Sequence, residues 1–127
     1  MAFNQTGGTA TVGYLSVGGQ SGSAATTAAF SLTGGTFTAT NFQNLVAAAS
    51  SRATITLGGS AQVTLPAFPM PAGPVTNTFD FTTGWLAPQA ASTAYMRGLA
   101  AAYLTTNGAN FNVASGKDIT IGQSFAD

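Results

Sequence analysis

Apolar and polar residues alternate along much of this chain in short runs punctuated by glycine. In "AAFSL", Ala28, Phe30 and Leu32 fall on one face, and in "TFTAT" Phe37 and Ala39 oppose Thr36, Thr38 and Thr40. A period of two is the mark of a half-buried strand, and Thr33, Gly34 and Gly35 between the runs are a turn signal. A further strand is expected in "TATVGYLSV", between the glycine-rich flanks "TGG" and "GGQSGS". The clearest pattern is "RATITLGGSAQVTLP". Ala53, Ile55 and Leu57 alternate with Thr54 and Thr56, and beyond Gly58, Gly59 and Ser60 the alternation resumes at Ala61, Val63 and Leu65 against Gln62 and Thr64. Two such runs around a glycine turn predict a hairpin. "TNTFDFTTG" predicts a strand with Phe79 and Phe81 opposite Asp80, ended by Gly84, and Ile119 and Ile121 mark one or two last strands.

Two stretches depart from this period. Asn41 is a cap residue, and Phe42, Leu45, Val46 and Ala49 recur at helical spacing. In "STAYMRGLAAAYLTTNG", Tyr95, Leu99, Ala102 and Tyr103 form an apolar stripe beside Met96, with Ser92 or Thr93 as caps and Asn107 with Gly108 as the stop. A short and a longer helix are therefore expected, with Gly98 marking close packing inside the second. No internal repeat of fixed period stands out. The pattern predicts a single mainly β (α+β) domain over 1–127, an antiparallel β-sandwich or barrel-like sheet with one or two helices and extended arms.

The arms are an N-terminal segment, 1–8, and "PAFPMPAGP" at 66–74, which holds four of the five prolines. Proline lacks an amide donor and biases its predecessor away from the helical region, so this stretch should run extended with its backbone unpaired. Phe68 and Met70 within it, together with Phe3 and Arg97, are candidate contacts to a neighbouring subunit. The competing reading folds the stretch back over its own core.

Charge changes the picture most. Arg52, Arg97, Lys117, Asp80, Asp118 and Asp127 are the only charged side chains, giving zero net charge, while 24 Ala, 20 Thr, 16 Gly and 10 Ser make up over half the chain. Neutrality removes the repulsion that keeps monomers apart. Three scattered cations make no basic stripe for nucleic acid and no membrane-surface patch. The first ten residues lack the basic start and apolar stretch of a secretory signal, so synthesis in a host cytoplasm is expected.

Without Cys or His, the disulfide framework and the common zinc, iron and copper ligand sets are absent, and no metal or cofactor is expected. The three aspartates offer no carboxylate pair suited to glycoside hydrolysis, and no enzyme activity is expected. "SGKD" reads as a turn before a strand, because Asp118 stands where a phosphate-binding loop needs Ser or Thr. "GQSGS" lacks the spacing of a nucleophile elbow. Asn4-Gln5-Thr6 has the form of a glycosylation sequon, which matters only on secretion. What remains is a surface that could hold a sugar or ice: Thr36, Thr38 and Thr40, with Thr54 and Thr56 nearby, and the aromatics Trp85 and Tyr14. The plainer readings are exposed strand threonines and a tryptophan covering the end of the core.

This profile of few charges, abundant Ala, Thr, Gly and Ser, strands, arms and a proline stretch resembles the small capsid-associated proteins of bacteriophages, of the decoration or cement type. The resemblance implies a virion protein that forms homo-oligomers, trimers above all, and binds a major capsid protein through many weak apolar contacts. Small RNA-phage coat proteins are similar in length, in placing strands before a C-terminal helical region and in the passage "VTLPAFPMPAGPVTNTFDF", which implies the alternative of a shell-forming coat. A carbohydrate- or ice-binding β-domain is the third expectation.

Overall fold

The computed structural model describes residues 2–17, 25, 27–45, 51–69, 76–105 and 107–127. Nine strands follow one another: β1 (Ala2–Val17), β2 (Thr27–Leu45), β3 (Arg52–Leu57), β4 (Gln62–Leu65), β5 (Thr76–Phe81), β6 (Trp85–Pro88), β7 (Ser92–Met96), β8 (Ala101–Leu104) and β9 (Ile119–Ile121). Every pairing between them is parallel. The fold is a β-solenoid of about four turns, with no helix among the described residues, and this overturns the expected antiparallel sandwich or barrel with helices. Each coil lies on the one before it, and a parallel neighbour is reached by travelling round the coil instead of through a helical crossover.

The coils carry three ladders. On the first, Phe3, Phe30, Ile55, Phe79 and Ala102 stand in register. Ala10, Phe37, Val63, Leu86 and Phe111 do so on the second. On the third, Leu15 lies beside Phe42, the Phe68 amide donates to the Tyr95 carbonyl at 2.7 Å, and Ser92 pairs with Ile119. Inward residues of all three ladders form one core, with Leu32, Phe37, Ala39, Leu57, Leu65, Phe79, Phe81, Leu86 and Tyr95 almost wholly buried.

The alternation read from sequence survives, but its partners change. The two runs lie in β3 and β4, which pair not with each other but each with β2, on different ladders. The corner between them explains why. Gly58 N donates to Leu32 O at 2.8 Å and Ser60 N to Thr33 O at 3.2 Å, so the corner amides serve the preceding coil and turn the chain onto the next face. The same corner recurs as Thr6-Gly7-Gly8-Thr9 and Thr33-Gly34-Gly35-Thr36. A repeat therefore exists, though not one of fixed period. Its period drifts, from Phe3 to Phe30, to Ile55, to Phe79 and to Ala102, because the corners differ in length.

Both expected helices give way to strands. β2 continues through Asn41 and Phe42 to Leu45, and 46–50 lie outside the described residues. The stripe of Tyr95, Leu99 and Ala102 is split between β7 and β8 by a corner at Gly98, whose φ is 71°. Amides there are served by adjacent coils: Leu99 N donates to Gln123 Oε1 at 2.9 Å and Ala100 N to Asn77 Oδ1 at 2.7 Å. Of the two expected arms, 1–8 is described from Ala2 and 66–74 only as far as 69, and 70–74 lie outside the described residues. Residues 2–8 belong to β1, and Phe68 is in the core.

Candidate functional site

Two surfaces stand out. The first is the open end of the solenoid. Among the described residues β1 is paired on one side only, to β2, and it carries no charged residue from Ala2 to Val17. Natural edge strands are commonly blunted by Lys or Pro, and β1 has neither. Phe3 is 42 % exposed there, stacked on Phe30. Gln5 braces the first corner from inside, its Nε2 donating to Gly7 O and Gly8 O at 3.3 Å and to Thr36 O at 3.1 Å.

The corner glycines define what this end leaves free. A Cβ on Gly34 would collide with Thr6 O, one on Gly35 with Gly8 O, and one on Gly59 with Thr33 O, each in the preceding coil. These residues are glycine because the coil before them lies against their α-carbons. Gly7 and Gly8 hold the same place in the first coil, and none of the described residues comes within 4 Å of a Cβ on either. Gly8 needs its glycine for a φ of 70°. Gly7 has no positive φ, so neither conformation nor a neighbour among the described residues requires glycine at that position.

The second surface is the outward side of the second ladder. Thr9, Thr36, Gln62 and Trp85 stand in one row across the coils, and Thr11, Thr38, Thr64 and Ala87 in the next. Thr36, Gln62, Thr64, Trp85, Ala87 and Asn112 line a shallow depression of about 360 Å³ together with Val63. Trp85 is 49 % exposed, so it does not cover the end of the core as the plainer reading has it.

The structure brings Thr36, Thr38 and Trp85 together and separates the rest. Thr40 stands next to Asn41, both exposed, where the alternation breaks at a corner. Tyr14, 67 % exposed, lies beyond that corner in the first coil, beside Asn41. Thr54 and Thr56 are on the first ladder, where Thr78 Oγ1 donates to Thr54 Oγ1 at 3.2 Å. Thr9, Thr11, Gln62, Thr64 and Asn112 were not expected in the surface. The signal for Thr9 and Thr11 is the repeated T-G-G-T-x-T at 6–11 and 33–38.

Among the interface candidates, Phe3 and Arg97 are exposed, whereas Phe68 is 3 % exposed with its ring against Phe42, Phe79 and Tyr95. Phe68 is thus a core residue and not the tip of a docking arm, and Met70 lies outside the described residues. Asp80 stands in register with Thr56 and Tyr103, where partial burial raises its carboxyl above the usual range. Asp118 is on another ladder, where its carbonyl accepts from Ser92 N. No group of metal-binding side chains occurs among the described residues. "SGKD" is a turn closed by Lys117 N donating to Ala114 O at 3.1 Å, and β9 follows it as expected.

No protein-family model, curated protein or solved structure matches this chain.

Proposed function

We propose that the chain is a structural assembly protein of the virion-decoration kind, which joins its partners through the uncovered edge of its first coil. The observation that carries this reading is the free, uncharged edge of β1 with Gly7 at its corner. In the later coils a glycine at that place admits the backbone of a stacked neighbour, and Gly7 leaves the same space open to a second chain. Backbone hydrogen bonds along the edge and burial of Phe3 supply the attraction, and zero net charge leaves nothing to oppose it. The other end is irregular, with only β9 and two isolated bridges among the described residues of its final coil, and it offers no comparable edge. Copies of the chain and the major protein of a capsid are the partners on this reading, and the virion is its location. The coat-protein alternative loses support, because its comparison leans on a helical region after the strands.

Light scattering on the purified protein and on Gly7→Val tests the contact. The substitution adds a side chain where none of the described residues comes within 4 Å of the Cβ, so unfolding at a dilution that keeps both proteins monomeric should match wild type, while at higher concentration native mass falls from an oligomer toward the 12.6 kDa monomer. A trimer unchanged by Gly7→Val would keep assembly and overturn the end contact. A wild-type monomer at all concentrations would overturn both.

A further inference from the structure

We infer that the depression beside Trp85 is a binding site for a neutral saccharide, independent of how the chain assembles. The exposed indole comes from β6, whose backbone is held on both sides. Trp85 N donates to Ala61 O at 2.8 Å in the coil before. Leu86 N donates to Asn110 O at 2.9 Å, and Asn112 N to Leu86 O at 3.0 Å, in the coil after. Leu86 itself is wholly buried, so the strand cannot roll and the ring is presented from a fixed base. An exposed aromatic face on a rigid strand is a preorganised apolar platform, which lowers the ordering cost of binding.

The polar groups round it complete the chemistry. Thr36, Gln62, Thr64 and Asn112 supply hydroxyls and carboxamides that both donate and accept, matching the mixed capacity of sugar hydroxyls. None of these four side chains has a hydrogen-bond partner among the described residues. No Lys, Arg or Asp lines the depression, which argues against a phosphate, a uronate or a nucleic acid backbone. Its volume of about 360 Å³ is at the small end of ligand sites, and fits a short oligosaccharide lying across the coils. Ice is the weaker match, since Gln62 and Trp85 interrupt the threonine rows that a flat lattice would need.

Trp85 is the only tryptophan, so its fluorescence reports this site alone. The probes are maltohexaose, cellohexaose, xylohexaose, mannohexaose and N-acetylated chitohexaose, with a ten-residue oligothymidine as the charged control. A saturable change in emission is expected with at least one hexasaccharide and none with the oligothymidine. Gln62→Ala should weaken that binding at least about tenfold, as central contacts do, while Tyr14→Ala, on another face, leaves it unchanged. Trp85→Ala, followed by gel retardation in the matching polysaccharide, should abolish it. Thermal unfolding of each variant shows that the fold persists. No saturable change with any hexasaccharide, equal binding of the oligothymidine, or a gap between freezing and melting points that signals ice binding would each overturn the inference.

Discussion

The ring of Phe3 stacks on that of Phe30 with centroids 4.9 Å apart and planes 15° from parallel, and Phe30 meets Phe37 edge-on at 5.0 Å. Phe3 thus ends an aromatic column on the open side of the first coil, covered from below and free above. Phe3→Ala should cost about 0.5–1.5 kcal/mol of stability for the lost aromatic pair, in addition to the apolar area it uncovers, read by urea unfolding at low concentration. It should also lower native mass in light scattering. A variant that unfolds earlier yet assembles as before would place the contact elsewhere.

Gly8 and Gly35 occupy equivalent corners at φ 70° and 78°, but only Gly35 has a coil above it. Gly8→Ala should cost about 1–2 kcal/mol, the strain of a left-handed alanine. Gly35→Ala adds a clash with backbone that no rotamer can relieve, worth about 1–3 kcal/mol more. The difference between the two unfolding free energies measures the close approach of the coils.

Phe68 packs against Phe42, Phe79 and Tyr95 within its own chain. Phe68→Ala should destabilise by about 3–5 kcal/mol, the cost of emptying an aromatic site in a core. That is a large share of the roughly 5–15 kcal/mol of a typical domain. Unchanged denaturant midpoint with reduced assembly would instead restore the arm.

Tyr95 is wholly buried, and its Oη donates to Ala87 O at 3.3 Å and Leu65 O at 3.4 Å. Burial raises its phenol above the ordinary value of 10.0. The folded state therefore keeps this proton while the unfolded chain loses it. Tyr95 should leave stability level below about pH 10 and make it fall as pH rises beyond that. Tyr95→Phe should cost about 1 kcal/mol at neutral pH through the lost hydrogen bonds, and should flatten the alkaline fall in melting temperature.

Strands were legible wherever one face met the core and the other met solvent, because a period of two depends only on local burial. Phe37 and Ala39 against Thr36 and Thr38, and Ile55 and Leu57 against Thr54 and Thr56, hold in the structure for that reason. The helical stripe at Tyr95, Leu99 and Ala102 misled because a corner at Gly98 shifts the phase of the alternation by an odd step, which mimics a period near 3.6. Of the second surface, Thr36, Thr38 and Trp85 were legible as single residues. Gln62 and Thr64 were not, since their place beside the threonines comes from stacking with β2.

The sequence by itself determined that the chain is β-rich, nearly uncharged and turned at glycine corners, since side-chain volume, charge and glycine's freedom are local properties. The tertiary structure alone decided that the corners feed the next face of a coil instead of a hairpin. An alternating strand can satisfy its backbone equally well beside an antiparallel or a parallel neighbour, and only the amides at Gly58 and Ser60, donating to Leu32 and Thr33 in the coil before, make the choice. The same stacking leaves β1 uncovered and sets Trp85 in line with Gln62 and Thr36.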